Sequence, residues 1–319
     1  MLEKMPLVSV MIPAYRRPDY CELAVMSALR QDYPALEVIV CDNSPEEDTA
    51  ERLRPYSSDK RFRYVRNREA HSKADNFRPF ESLAQGEYLQ WLMDDDLLYP
   101  GKISQMAEVL RSHPDVSLVT SNRQFIDEAG RKVPRSDSLQ DVPEPCGVID
   151  GAELGRTMLM DVQNYIGEPS AVLFRRKDLQ HHYWGADCRG YTVISDVAMW
   201  LELLEKGSCV VFKQPLSAYR RHARQEGQQA EVVLLSRLEW LQLGEEYYGR
   251  HIFLRQPDEY AQMLGRMLKE CDDCLQGERA LAPGASDQAY QAYIAGMKLA
   301  RQRLEILKGE AGTEVRVDG

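Results

Sequence analysis

Leu7 to Ile12 is a short apolar β-type run. After Pro13-Ala14-Tyr15-Arg16-Arg17-Pro18, the apolar positions Cys21, Ala24, Val25, Ala28 and Leu29 recur at helical spacing. Pro18 suits a first helical turn, where its missing N–H costs nothing. Leu36 to Cys41 is a second apolar run, closed by the turn cluster Asp42-Asn43-Ser44-Pro45. Strand, helix and strand in this order predict a βαβ unit.

The alternation continues with Phe62 to Val65 as a strand, Asn76 to Ala84 as a helix and Tyr88 to Met93 as a buried strand. Pro100 opens a helix with Ile103, Met106, Ala107 and Leu110 on one face, and Val116 to Thr120 is the strand after it. This order predicts an α/β fold, a mostly parallel, doubly wound sheet flanked by helices. Asn122 to Ile149 is polar and proline-bearing, which predicts a hairpin around Asp127 to Gly130 and then a mobile loop up to Pro145. Ser170 to Phe174 reads as a strand, and Val197, Trp200, Leu201 and Leu204 define one face of a helix beginning near Ser195. Two further strands, Ser208 to Lys213 and Leu216 to Arg220, are joined at Pro215.

From about Glu226 the β-type runs stop and helical patterns follow at Ala230 to Tyr248, Asp258 to Leu275 and Ser286 to Lys308. The expected organisation is a sheet domain at 1–225 and a C-terminal helical extension at 226–319, which packs on the sheet or joins two copies as a homodimer.

Composition narrows the function classes. The 319 residues are 44% hydrophobic and 28% charged with a net charge of -10. That balance fits an ordinary globular protein and argues against a general nucleic-acid binder, which needs clustered cations. No apolar run reaches the length of a membrane span and Met1 to Ser9 lacks a signal-peptide core, so a cytoplasmic location is expected, with peripheral membrane association left open. The seven cysteines lie mostly in apolar segments and read as reduced core thiols, Cys271-x-x-Cys274 included. His71, His113, His181, His182 and His251 show no metal-ligand spacing.

The chemistry concentrates at Asp94-Asp95-Asp96, directly after the buried strand. Neighbouring carboxylates about 4 Å apart repel by roughly 1 kcal/mol in water and roughly 4 at the effective dielectric of a protein surface, so a positive partner is expected. The triplet is either a solvated turn capping the next helix or a site for a hard cation such as Mg²⁺ or Mn²⁺. No G-x-G-x-x-G or P-loop phosphate cradle is present, so other groups must hold any diphosphate.

Val8 to Tyr15 with Arg17, then Gln31 to Ser44, then Gly86-Glu87-Tyr88 leading into Asp94 to Asp96, resemble in order and spacing the family 2 glycosyltransferases of GT-A fold. The resemblance covers about residues 6 to 222. It implies an inverting transferase that takes a nucleotide-sugar donor, a UDP-sugar being favoured. Pro13, Ala14, Tyr15, Arg17 and Asp42 would hold base and ribose, and Asp94 and Asp95 would also face the donor. Asp94 and Asp96 would bind Mn²⁺ or Mg²⁺ with His222, which lies in Tyr219-Arg220-Arg221-His222. Lys73 and Asn76 fall where donor contacts occur in the family. Asp196 resembles the family's late acid at a helix start, the base for the acceptor hydroxyl, and is otherwise a helix cap. Trp200 lines an acceptor pocket or fills the core. The acceptor would be a glycan, a lipid-linked molecule or a protein, with Tyr183 and Trp184 as sugar-stacking candidates. The competing reading is a non-catalytic nucleotide-sugar or partner-binding module of the same fold.

Overall fold

The computed structural model describes residues 5–70, 72–134, 147–180, 190–222, 229–276, 282 and 284–314. Its contacts divide the chain into two compact units, one of residues 1–151 with 165–222, the other of 152–164 with 223–319.

The first unit is built on a mixed sheet. Its strands are β1 (Val8–Ala14), β2 (Leu36–Asp42), β3 (Phe62–Arg66), β4 (Tyr88–Trp91), β5 (Leu97–Leu98), β6 (Val116–Ile126), β7 (Val148–Ile149), β8 (Leu173–Arg175) and β9 (Ser208–Arg220). Spatial order is β3-β2-β1-β4-β8-β6-β9-β5, with β7 on β9. The pairs β3/β2, β2/β1 and β1/β4 are parallel, as the repeated strand and helix pattern requires. Beyond β4 the sheet is mixed: β8 is antiparallel to β4 and β6, whereas β6 and β9 are parallel. Every residue of β1 is buried, Ser9 included, which is why the strand is mostly apolar with no regular alternation.

The helices of this unit are α1 (Pro18–Leu29), α2 (Asp48–Leu53), α3 (Lys73–Phe77), α4 (Phe80–Leu83), α5 (Lys102–Ser112) and, later in the chain, α7 (Ser195–Leu204). The sheet and these helices share a core that includes Val10, Ile12, Val38, Val40, Ala24, Val25, Met106 and Leu110. Gly86, just before β4, lies so close to Ser9 that a Cβ there would come within 2.5 Å of the Ser9 nitrogen.

Three sequence expectations change. Asn76 to Ala84 is not one helix, because Pro79 stands between α3 and α4 and its missing N–H separates them. Ser208 to Arg220 is a single strand: the irregularity at Pro215 is absorbed as register shifts against β6 between Ser121 and Arg123. Strand β6 runs on to Ile126, so the polar stretch from Asn122 begins as sheet before the hairpin that Gly130 N closes on Asp127 O at 3.0 Å. The loop expected up to Pro145, and Tyr183, Trp184, His71, His181 and His182, lie outside the described residues.

The second unit contains α8 (Ala230–Gly249), α9 (Pro257–Gln276), α10 (Asp287–Glu314) and nearly all of α6 (Gly151–Asp161). Leu243, Tyr247, Tyr260, Met263 and Leu264 are fully buried, and Tyr248 stacks on Tyr260 with centroids 4.6 Å apart. Arg156 to Glu259 and Arg266 to Asp161 tie α6 to α9 at 3.2 and 2.9 Å. Cys271 is buried, as a packing role predicts. No helix among the described residues is long and apolar enough to cross a membrane.

Candidate active site

The carboxyl ends of β1, β2 and β4 lie side by side, a consequence of parallel pairing: Ala14 is in register with Asp42, and Met11 with Trp91. Pro13 and Ala14 are buried in β1, while Tyr15, one residue further on, is 49% exposed. Arg16 takes φ of 56°, a left-handed conformation that costs an L-residue energy and turns the chain so that Arg16 N donates to Ser44 Oγ at 2.7 Å.

Asp42 is fully buried and its carboxylate is saturated. Ser44 donates to Oδ1 from its nitrogen at 2.8 Å and from its hydroxyl at 2.5 Å, while Tyr64 OH and Arg66 Nη1 each reach Oδ2 at 2.7 Å. Asn76 donates through Nδ2 to Ala14 O and Cys41 O, so it ties β1 to β2.

The acidic triplet is supplied differently. Asp94, Asp95 and Asp96 are 5%, 8% and 1% exposed. Asp94 accepts from Tyr15 N at 3.1 Å and from Arg17 Nη1 at 2.8 Å, and the same guanidinium nitrogen reaches Asp95 Oδ2 at 2.9 Å. His222 Nε2 stands 2.8 Å from that Asp95 oxygen. Asp96 Oδ1 accepts from Arg220 N at 3.0 Å, whereas the buried Oδ2 has no hydrogen-bond donor among the described residues. Burial, and then the charge of Asp95, push Asp94 up to about 7 and Asp96 well above the usual carboxylate range. The Ser170 hydroxyl lowers Asp96 in part, without aligning as a hydrogen bond to Oδ2.

Arg220 anchors this turn from β9: besides its nitrogen on Asp96, Nε donates to Asp95 O at 2.8 Å, Nη1 donates to Asp127 O at 3.0 Å, and the guanidinium lies over Tyr20. From the other side, Ser170 Oγ accepts Met93 N at 3.0 Å. Lys102, with no exposed surface, donates to Ala171 O at 2.7 Å; burial without a carboxylate partner drives its pKa well down.

Asp196, in the first turn of α7, accepts from Val197 N at 2.8 Å. Burial, the largest cause, raises its pKa to about 7, the Glu168 charge adds to this, and the Lys73 ammonium opposes it. The structure therefore places Lys73 within electrostatic reach of Asp196. Trp200, fully buried, donates to Gly167 O at 3.1 Å and meets Phe174 edge-on, which settles it in the core. Glu168, Arg220 and Lys102 escaped sequence reasoning. Only Arg220 carried a signal, its place beside His222.

Among the described residues no set of three or more His, Cys, Asp or Glu side chains is gathered to hold a metal ion. The donor chemistry still suits one: Asp96 Oδ2 is a hard oxygen, buried and unpartnered, and Mg²⁺ or Mn²⁺ takes one or two carboxylates and completes its shell with phosphate oxygens and water.

The profile of the family described as Glycosyl transferase family 2 matches residues 9–182. An uncharacterized glycosyltransferase of Rickettsia conorii is 32% identical over 129 residues, 40% of this chain and 21% of the relative, so the match spans about a fifth of that protein. Among solved structures, S. aureus TarS 1–349 in complex with UDP-GlcNAc superposes with a TM-score of 0.62 at 13% identity, covering 93% of this chain and 81% of the other. The mannosyltransferase PcManGT from Pyrobaculum calidifontis, in complex with GDP-Man and Mn²⁺, gives 0.51 at 15% identity, covering 97% and 87%. The structural likeness gives the fold, GT-A, and the matched profile spans more than half of the residues: the chain belongs to glycosyl transferase family 2.

Proposed function

We propose that the chain moves a glycosyl group from a nucleotide-sugar donor, a UDP-sugar by preference, to the hydroxyl of a glycan, lipid-linked or protein acceptor, with inversion at the anomeric carbon. The observation that carries this reading is the pairing of functions within one unit. A cluster of buried carboxylates with an unpartnered oxygen stands at the end of β4, and a second carboxyl, Asp196, is raised to about 7 at the start of α7. TarS in complex with UDP-GlcNAc and PcManGT in complex with GDP-Man and Mn²⁺ support the donor class and the metal by analogy of fold.

Pro13, Ala14, Tyr15 and Arg17 line the donor's base and ribose, with Asp42 holding the loop beneath them through Ser44. Asp96, through its unpartnered Oδ2, and Asp94 with His222 would be the groups to hold Mn²⁺ or Mg²⁺, which would supply positive charge for the departing diphosphate. Arg17 adds a fixed cation at the same place. Asp196, ionised, takes the proton of the acceptor hydroxyl as that oxygen bonds to the anomeric carbon and the bond from carbon to diphosphate oxygen breaks, contributing about 10² to 10⁴ in rate. A pKa near 7 suits a base at neutral pH.

In the second unit, Leu299 and Ile306 are 64% and 50% exposed two turns apart on α10, which supports self-association through the C-terminal helices. A shift of sedimentation on Leu299→Arg tests it.

The catalytic reading is tested by calorimetric titration of UDP-, GDP- and dTDP-sugars with Mn²⁺ and then with excess chelator. Metal-dependent binding of one nucleotide class is expected, and product of inverted anomeric configuration by NMR completes the test. No binding of any nucleotide would favour the non-catalytic module.

A further inference from the structure

Residues 166–171 form a strap across the first unit, and every carbonyl in it has a donor. Thr120 Oγ1 holds Ile166 O at 2.7 Å and Trp200 Nε1 holds Gly167 O at 3.1 Å. Ala171 N closes on Glu168 O at 2.8 Å. Gln90 Nε2 lies 3.4 and 3.3 Å from the carbonyls of Pro169 and Ser170, and Lys102 takes that of Ala171. A short loop held at each carbonyl is a rigid platform.

Glu168 sits at a telling place on it. One neighbour, Gly167, is bonded to Trp200, a turn beyond Asp196 on α7. Two residues on, Ser170 is bonded to Met93 N at the start of the acidic triplet. Glu168 is thus bracketed by the proposed base and the proposed diphosphate site, and its charge raises the pKa of both Asp96 and Asp196.

Its charge is balanced from behind. Arg123 Nε is 2.7 Å from Glu168 Oε2 and Nη2 is 3.3 Å from Oε1. The guanidinium reaches it by crossing Gly167, where φ is 101° and a Cβ would come within 2.8 Å of Nη1. Yet the Nε to Oε2 approach is not aligned as a hydrogen bond, so both atoms lack one. The open side of the pair is the acid: the Arg123 side chain is 4% exposed and that of Glu168 20%.

A carboxylate held rigid and balanced in charge, with a fifth of its side chain exposed, stands on the strap between residues tied to the leaving-group site and residues tied to the base. We propose that Glu168 is a specificity-determining residue that accepts hydrogen bonds from hydroxyls of the transferred sugar, with Arg123 and the strap as its support; the inference rests on the transferase reading above. Charge-assisted hydrogen bonds of this kind select strongly, because a sugar without the hydroxyl leaves a desolvated carboxylate oxygen short of a donor.

The test is calorimetry on the full chain with Mn²⁺, comparing UDP with UDP-GlcNAc and GDP with GDP-mannose, for wild type, Glu168→Gln and Glu168→Asp. The expected result is that each free diphosphate binds all three proteins alike. The wild-type preference for the sugar-bearing ligand over its diphosphate should fall about 10- to 100-fold in Glu168→Gln, with Glu168→Asp in between. An unchanged preference in Glu168→Gln overturns the proposal while leaving the transferase reading intact. Should Glu168→Gln fail to fold beside Arg123, an unchanged preference in Glu168→Asp overturns it equally. If wild type binds no nucleotide, the transferase reading falls and the assignment of Glu168 with it.

Discussion

Two neighbouring strand ends treat their carboxylates in opposite ways. At the end of β2, Asp42 is met by Ser44, Tyr64 and Arg66 and every lone-pair direction is engaged. At the end of β4, Asp94, Asp95 and Asp96 are also buried, are met by Arg17 and His222, and still leave Asp96 Oδ2 without a donor among the described residues. A saturated carboxylate holds a loop in shape; an unsaturated one keeps an acceptor position open. The difference teaches where the molecule spends stability on order and where on function.

The sharpest way to break that contrast is at the ready groups. Asp196→Asn should lower kcat about 10² to 10⁴-fold and Asp96→Ala by about three orders of magnitude, read with the donor identified by calorimetry. Neither should unfold the chain, and retained turnover in either would erase the distinction. The saturated site should respond in stability. Arg66→Met leaves Asp42 buried without its cation and should cost about 3 kcal/mol in urea unfolding; a change under about 1 kcal/mol would show that the network adds little.

Mn²⁺ should stabilise wild type by about 2.7 kcal/mol at a hundredfold excess over its dissociation constant, and Asp96→Asn should lose that shift while Arg66→Met keeps it. The pH dependence has a fixed sign. Asp196 is raised to about 7 in the folded chain and ionises near 4 when unfolded, so the folded state binds the proton more tightly. Its stabilising contribution is full below about 4 and is lost as pH rises through 7. Asp196→Asn should therefore gain on wild type in thermal melts between pH 4 and 8, while wild-type kcat/KM rises through the same midpoint as the base ionises. A difference in melting that stays constant over this range would contradict the shift. Least affected should be the exposed pair Arg301 and Asp272 of the second unit, where Arg301→Ala should cost less than about 1 kcal/mol.

The saturated and unsaturated sites were also unequally legible in the sequence. Strands β1, β2 and β4 announced themselves because burial on both faces makes a largely apolar run, and the acids at the ends of β2 and β4 could be read from that position alone. The partners could not. Arg66 meets Asp42 across 24 residues, Lys102 meets Ala171 across 69, and Arg123 meets Glu168 across 45, separations at which no local pattern carries information. Lys102 in particular occupies a helical first turn where a lysine ordinarily reads as solvated, and only the fold reveals its burial. Helix α6 went unread because glycines at 151 and 155 weaken a short helical pattern, and β9 was split in two by Pro215, since propensity marks a proline as a break where the structure tolerates a shift of register.

Arg220 carries a consequence for how the site comes into being. Its backbone nitrogen reaches Asp96 across 124 residues and its side chain holds Asp95 O and the hairpin that follows β6. A growing chain exposes the three aspartates long before it makes the residue that braces them. The acidic turn can therefore reach its final geometry only when the last long strand has been synthesised and docked, and a chain shortened before Arg220 should form its parallel strands yet leave the acids unbraced. Assembly of the site is thus a late event in folding, timed by the final strand.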